Sequence, residues 1–187
     1  MTTSMTRRLR TREALQRSAL DLFERQGYDA TSVAQIAVDA GVTPMTFFRH
    51  FAAKENVLLD DPYDPAIADA VAAEPLSLPP LVRAVRGLRR AWAHVPEPED
   101  EHTRRRVRIV AATPSLRGAV SRNNAETERV IADGLLAGGA EPLAAQVAAA
   151  AVIAALTAAL YAWASADGRS LADAVTIALD TLEHADG

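Results

Sequence analysis

Residues 31–51 read TSVAQIAVDAGVTPMTFFRHF, and the fold follows from this stretch. Ser32 and Gln35 have the S-x-x-Q spacing of a capping box, in which each side chain satisfies a backbone N–H at a helix start. Val33, Ile36, Ala37 and Ala40 recur at helical spacing and predict a buried face. Gly41 ends that helix, because glycine enters the left-handed conformation without steric cost. Thr43 offers an N-cap to the next helix, and Pro44 falls at its first position, where a missing N–H leaves nothing unpaired. Phe47 and Phe51, at i and i+4, predict the apolar back of this second helix. The stretch is thus a helix, a Gly-Val turn and a short helix. Such a unit lays its first helix across a DNA backbone. It presents the second to the major groove, which is about 12 Å wide and admits one helix.

Upstream, Leu15, Ala19, Leu22 and Phe23 share one face of a helix predicted over residues 6–26, with Gly27 as its stop. Arg7, Arg8, Arg10 and Arg12 precede the packed part, either as a solvated arm or as phosphate contacts. Downstream, a fourth helix starts near Ala53 and carries Val57 and Leu58. Pro62 and Pro65 break or redirect it. Further helices are predicted over 79–94, 101–112, 114–137, 142–166 and 170–185. Residues 95–100 (VPEPED) form an acidic loop, Thr113-Pro114 repeats the cap-plus-proline signal, and Ser170 with Asp173 makes another capping pair. No strand alternation interrupts this pattern, so the fold class is all-α.

The chain has 187 residues, 49% of them hydrophobic, enough for a substantial core. Its net charge of −4 is unevenly spread. Residues 1–54 hold 8 basic and 5 acidic side chains, so a net positive head sits on a negative body. Such a head can engage phosphates at one end only. There is no cysteine, which excludes disulfides and thiolate metal sites and makes the cytoplasm the default compartment. The N-terminal arginines have no apolar stretch behind them, so a signal peptide is not expected. Histidines 50, 94, 102 and 184 lack metal-ligand spacing, and no G-x-S-x-G or glycine-rich phosphate loop occurs. No catalytic residue, metal or cofactor is therefore expected.

Pro142 to Ala166 contains no charged residue. A helix of that length spans about 37 Å and would meet the length criterion for a membrane span. It is dominated by alanine and interrupted by Gln146, Thr157 and Ser165, so it reads as a helix covered by protein, with no membrane partner. The last helix carries its own stripe of Leu171, Val175, Ala178, Leu179 and Leu182. Two such helices from each of two chains would build a four-helix homodimer interface.

Residues 9–58 resemble the TetR family of transcriptional regulators. The likeness is carried by ALDLFERQGYDATSVAQIAVDAGVTPMTFFRHFAAKENVL, with its G-Y-x-x-T-S-V-x-x-I-A run, its A-G-V-T turn and its aromatic-x-x-F-x-x-K-E ending. The remaining residues match in architecture. The resemblance implies a helix-turn-helix DNA-binding domain over 1–56 and a helical ligand-binding and dimerisation domain over 57–187. It implies a regulator, expected to be a repressor, that binds a near-palindromic operator as a homodimer through its last two helices. A small-molecule inducer would release it, with the fourth helix as lever. An activator of the same fold, a cofactor-free enzyme and a helical membrane-associated adaptor stand as alternatives.

By position, the resemblance assigns Thr31 and Ser32 to phosphate, and Thr43, Pro44 and Met45 to bases or backbone. Phe48, Arg49 and His50 go to the DNA edge, and Lys54 to a further phosphate. The family usually carries lysine where Pro44 stands and tyrosine where Phe48 stands. Arg49 is the candidate for guanine, because its fork can bond both acceptors of that base. Trp92, Val107, Val110, Leu116, Asn123 and Trp163 are candidate lining of the inducer pocket, or else ordinary core. The run Arg104, Arg105, Arg106 and Arg108 is either an anion site or a solvated face. Acyl-CoA ligands occur among repressors with a similar Phe-Phe-Arg-x-Phe element and a stretch like Asp60–Pro65.

Overall fold

The computed structural model describes residues 2–60, 64–93 and 100–184. Among these, every regular element is helical: α1 (Thr2–Gln26), α2 (Val33–Asp39), α3 (Pro44–His50), α4 (Asn56–Leu59), α5 (Asp64–Ala72), α6 (Pro80–Trp92), α7 (Asp100–Ala112), a 3-10 turn (Pro114–Leu116), α8 (Arg117–Ala137), α9 (Pro142–Ser165) and α10 (Leu171–Glu183). The chain forms two compact units. One comprises Met1–Asp60 with Arg105–Ala119, and the other Asp61–Arg104 with Val120–Gly187.

The first unit is built by local signals in the chain. Gly27 and Gly41 both stand at positive φ, 86° and 68°. The Gly27 N–H bonds the Phe23 carbonyl at 2.9 Å, and the Gly41 N–H bonds that of Val38 at 3.0 Å. These bonds satisfy carbonyls that a helix end leaves open. The Ser32–Gln35 capping box is complete. Helix α1 packs against α2 and α4, and α2 against α3, and Leu15, Ala19 and Phe23 of α1, Ile36 and Ala37 of α2, and Phe47, Phe51, Val57 and Leu58 are all buried.

Three expectations need correction. The fourth helix is only the four residues of α4, and Pro65 lies in the first turn of a helix, α5, that the sequence did not announce; Pro62 and residues 95–99 of the acidic loop lie outside the described residues. Proline is tolerated in a first turn because no N–H is needed there. Thr113 makes no side-chain cap. Its hydroxyl instead donates back to the Ile109 carbonyl at 2.7 Å, a local competitor of capping. Pro114 accordingly opens a 3-10 turn, and α8 begins at Arg117.

In the second unit, α6 packs against α5, α9 and α10, and α9 packs against α10. The crossing of α5 and α6 is close because position 87 is glycine. A Cβ there would sit 2.6 Å from the Val71 Cα, a backbone atom that cannot swing aside. Gly87→Ala is expected to destabilise by about 1–3 kcal/mol from overpacking, outweighing alanine's helix preference of about 1 kcal/mol. A rise in the urea midpoint of this variant would show that α5 yields freely.

Among the described residues, nothing covers one apolar face of helix α9. Among the described residues it is the one helix long and apolar enough to cross a membrane, and 28% of its most apolar 18-residue window is buried. Leu143 and Val147 are 65% and 60% exposed. Ala150, Ala154, Ala158 and Ala162 continue that exposed stripe at helical spacing. A helix apolar on all sides and uncovered on one requires a partner surface.

Candidate nucleic-acid interface

The short helix α3 is mounted by its aromatic back. Phe47 and Phe51 are buried, their ring centroids 5.4 Å apart, and Phe47 meets Phe48 edge-on at 5.6 Å. The C-terminal end of α3 is pinned by Arg12. Its guanidinium lies 4.2 Å from the Phe51 ring centroid, donates to the His50 carbonyl at 2.8 Å and pairs with Asp60 at 3.2 Å. This ties α1, α3 and the end of α4 together. Nothing in the sequence pattern announces it, since the partners lie 38 and 48 residues away.

With its back fixed, α3 exposes Thr43, Pro44, Met45, Phe48 and Arg49, and half-exposes His50. Thr43 is the N-cap. Its hydroxyl accepts from the Thr46 N–H at 3.2 Å and shares a hydrogen bond with the Thr46 hydroxyl at 3.1 Å. Ser32 is exposed at the start of α2, and its hydroxyl accepts from the Gln35 N–H at 3.2 Å.

Thr31 and Lys54 are placed differently from the expectation that they reach phosphate with their side chains. Thr31 is 2% exposed. Its hydroxyl donates to the Gly27 carbonyl at 2.8 Å and accepts from Gln26 at 3.1 Å. The Lys54 ammonium donates to the Tyr28 and Thr31 carbonyls at 2.9 and 2.8 Å and sits 3.9 Å from the Tyr28 ring centroid. The α1–α2 turn exposes backbone carbonyls, and the chain's one lysine satisfies two of them. Burial lowers the Lys54 pKa, while Asp29 and Glu55 oppose that shift. Burial, with help from Glu55 and Asp29, pushes the Tyr28 phenol up to about 12. Both residues hold the turn that sets where α2 begins.

An open cleft of about 720 Å³ lies between the first turns of α1 and the face of α3. Arg7, Arg8 and Thr11 line one side, and Gly41, Thr43, Thr46, Arg49 and His50 the other. Among the described residues, no carboxylate lines it. The His50 pKa is lowered, first by burial and then by Arg49, Arg8 and Arg12. This shift favours the uncharged ring, and the arginines carry the cleft's charge. The spacing of the arginines before residue 13 left their role open. Here α1 extends back to Thr2, so Arg7 and Arg8 stand beside α3.

The candidate ligand residues divide between the two units. Val107 and Leu116 are buried in the first, with Val110 half-buried. Trp163 is buried in the second, where Trp92 and Asn123 are half-buried. The Trp163 indole N–H donates to the Arg169 carbonyl at 2.9 Å. The arginine run is engaged internally. Arg104 stacks 4.3 Å from the Trp163 ring centroid and donates to the Trp163, Ala166 and Arg169 carbonyls, where the negative end of the α9 dipole lies. Arg105 binds Glu24 and Asp21, and those hydrogen bonds raise its pKa. Arg106 and Arg108 also have interactions of their own.

Two family models match the chain: bacterial regulatory proteins of the tetR family over residues 16–60, and the MftR C-terminal domain over residues 79–186. Over 126 residues the chain is 38% identical to the HTH-type transcriptional regulator TcmR of Streptomyces glaucescens. That match covers 64% of this chain and 56% of TcmR, so it spans little more than half of the relative's length. Among solved structures, the fold is similar to NalD, the secondary repressor of the MexAB-OprM multidrug efflux pump in Pseudomonas aeruginosa. The TM-score is 0.54 and the identity 23%, over 92% of this chain and 93% of NalD.

Proposed function

Because the chain belongs to the TetR family of bacterial transcriptional regulators, we propose that it is a repressor that binds a near-palindromic operator as a homodimer and is released by a small-molecule inducer. Regulators of this family bind DNA as dimers, respond to ligands and work in the cytoplasm, and α9 suits a soluble protein as an interface helix. The observation that carries the reading is the exposed front of α3, mounted on buried Phe47 and Phe51 beside a cleft whose described lining is basic and holds no carboxylate.

In this reading Ser32, Thr43, Pro44, Met45, Phe48, Arg49 and His50 face the DNA, and Arg7 and Arg8 join them as phosphate contacts. Thr31 and Lys54 act through the turn they hold. The exposed stripe of α9, with α10 beside it, forms the dimer face. Ala150, Ala154, Ala158 and Ala162 let the partner helix approach closely. One seven-residue recognition helix makes few contacts, and two of them about one helical turn apart read a palindrome. An inducer that prefers the released state weakens operator binding through a coupling of about 1–3 kcal/mol, or about 5–150-fold. The sequence likeness makes acyl-CoA thioesters the first compounds to titrate.

Fluorescence anisotropy on the DNA upstream of the protein's own gene, against scrambled DNA at two salt concentrations, tests this. Preferential binding with two chains per site is expected. Arg49→Ala should cost about 1–3 kcal/mol and relax specificity at one base pair, whereas Arg7→Ala should weaken all sequences alike and lower the salt slope by about 1. Equal, salt-abolished binding to both DNAs, there and across a genome-wide pull-down, would refute the operator reading. In a deletion strain, derepression of the target marks a repressor and loss of expression an activator.

A further inference from the structure

We propose that the front of α3 selects its operator through thymine methyl groups, with Met45 as the residue that reads them. The inference rests on the operator reading and adds the chemistry of the half-site. In a helix-turn-helix, residues of the first turns of the second helix meet the base edges. Here those turns offer few hydrogen-bonding groups, and two of them are partly engaged within the helix. Pro44 has no N–H. The hydroxyls of Thr43 and Thr46 bond each other at 3.1 Å, and Thr43 also accepts from the Thr46 N–H. No charged side chain precedes Arg49 on the helix.

What the helix presents is apolar. Met45 is 77% exposed and Phe48 52% exposed, on a helix whose other phenylalanine is fully buried. Each base pair shows donors and acceptors in the major groove, and the only apolar group among them is the C5 methyl of thymine. A thioether laid over a guanine or cytosine edge would strip water from donors and acceptors without replacing their bonds, which is unfavourable. Over a thymine methyl it buries apolar surface on both sides, and the unbranched methionine side chain adapts to the contact. Charge identifies the occupant of this apolar patch as duplex DNA. Beside it, Thr46 and Arg49 of the same helix line a cleft with Arg7 and Arg8 that has no carboxylate among its described lining residues, a charge that suits a phosphate backbone.

The test begins with in vitro selection of random duplexes by the full-length protein. Each thymine of the best half-site is then replaced by uracil, which removes only the methyl. Enriched half-sites are expected to contain thymine where the first turns of α3 lie. Removing the critical methyl should weaken binding about fourfold, the equivalent of one buried methylene. Met45→Ala should weaken the thymine site similarly and abolish the difference between thymine and uracil, while Met45→Leu should retain it. Because the side chain is exposed, folding of both variants can be confirmed by circular dichroism. Specific binding that is indifferent to every uracil replacement, or a Met45→Ala variant that still distinguishes uracil from thymine, would overturn the proposal while leaving the operator reading intact. Failure to enrich any sequence would overturn both.

Discussion

Ala154→Glu is expected to leave the chain monomeric at micromolar concentration and to weaken operator binding by about 10²–10⁴, the avidity contributed by a second linked head. Ala154 lies mid-way along α9, in the exposed stripe that runs from Leu143 to Ala162. Within one chain the new carboxylate would stay in water, so the monomer should keep its helix content and much of its stability. In a four-helix interface the same group would be desolvated in both protomers without a partner, at several kcal/mol for each. Sedimentation velocity of the variant and wild type, alongside anisotropy on the operator, reads both effects. A variant that stays dimeric and binds normally would place the dimer face elsewhere. A conservative Ala154→Ser control separates charge from volume, and should stay dimeric.

The second large effect separates two adjacent phenylalanines. Phe47→Ala is expected to destabilise the protein by about 3–5 kcal/mol, because a fully buried aromatic leaves a cavity that its neighbours cannot refill. Phe47 touches both Phe48 and Phe51 and underlies the whole of α3. Operator binding should fall with it, since the recognition helix loses its mount. Phe48→Ala should change stability by less than about 0.5 kcal/mol, as expected for an exposed position. It should nonetheless lower operator affinity, because the proposed operator reading sets this exposed ring against the groove. Urea unfolding and anisotropy on the two variants give four numbers. Equal stability losses would mean that Phe48 is core as well, and an unaffected operator affinity in Phe48→Ala would remove it from the interface.

The reading of residues 31–51 needed no tertiary structure, for a physical reason. Capping boxes, proline at a helix start, glycine at a helix stop and i, i+4 phenylalanines are local interactions, complete within a few residues. Sequence spacing alone therefore determined the all-α class, the position of α2 and α3 and the aromatic back of the recognition helix. It also determined the family, because the matching pattern is dense over some 50 residues. What the fold alone decided are contacts between residues far apart along the chain. Lys54 holds carbonyls 23 and 26 residues before it, and Arg12 pins the end of α3 across 38 residues. Thr31 turns its hydroxyl inward toward the end of α1. Arg104 is drawn to the carbonyls at the end of α9 and Arg105 to the carboxylates of α1, which removes half of an apparent anion site. A cation's sequence neighbours do not reveal whether it will meet a phosphate or a backbone carbonyl. That choice depends on which unsatisfied group the folded chain brings within reach.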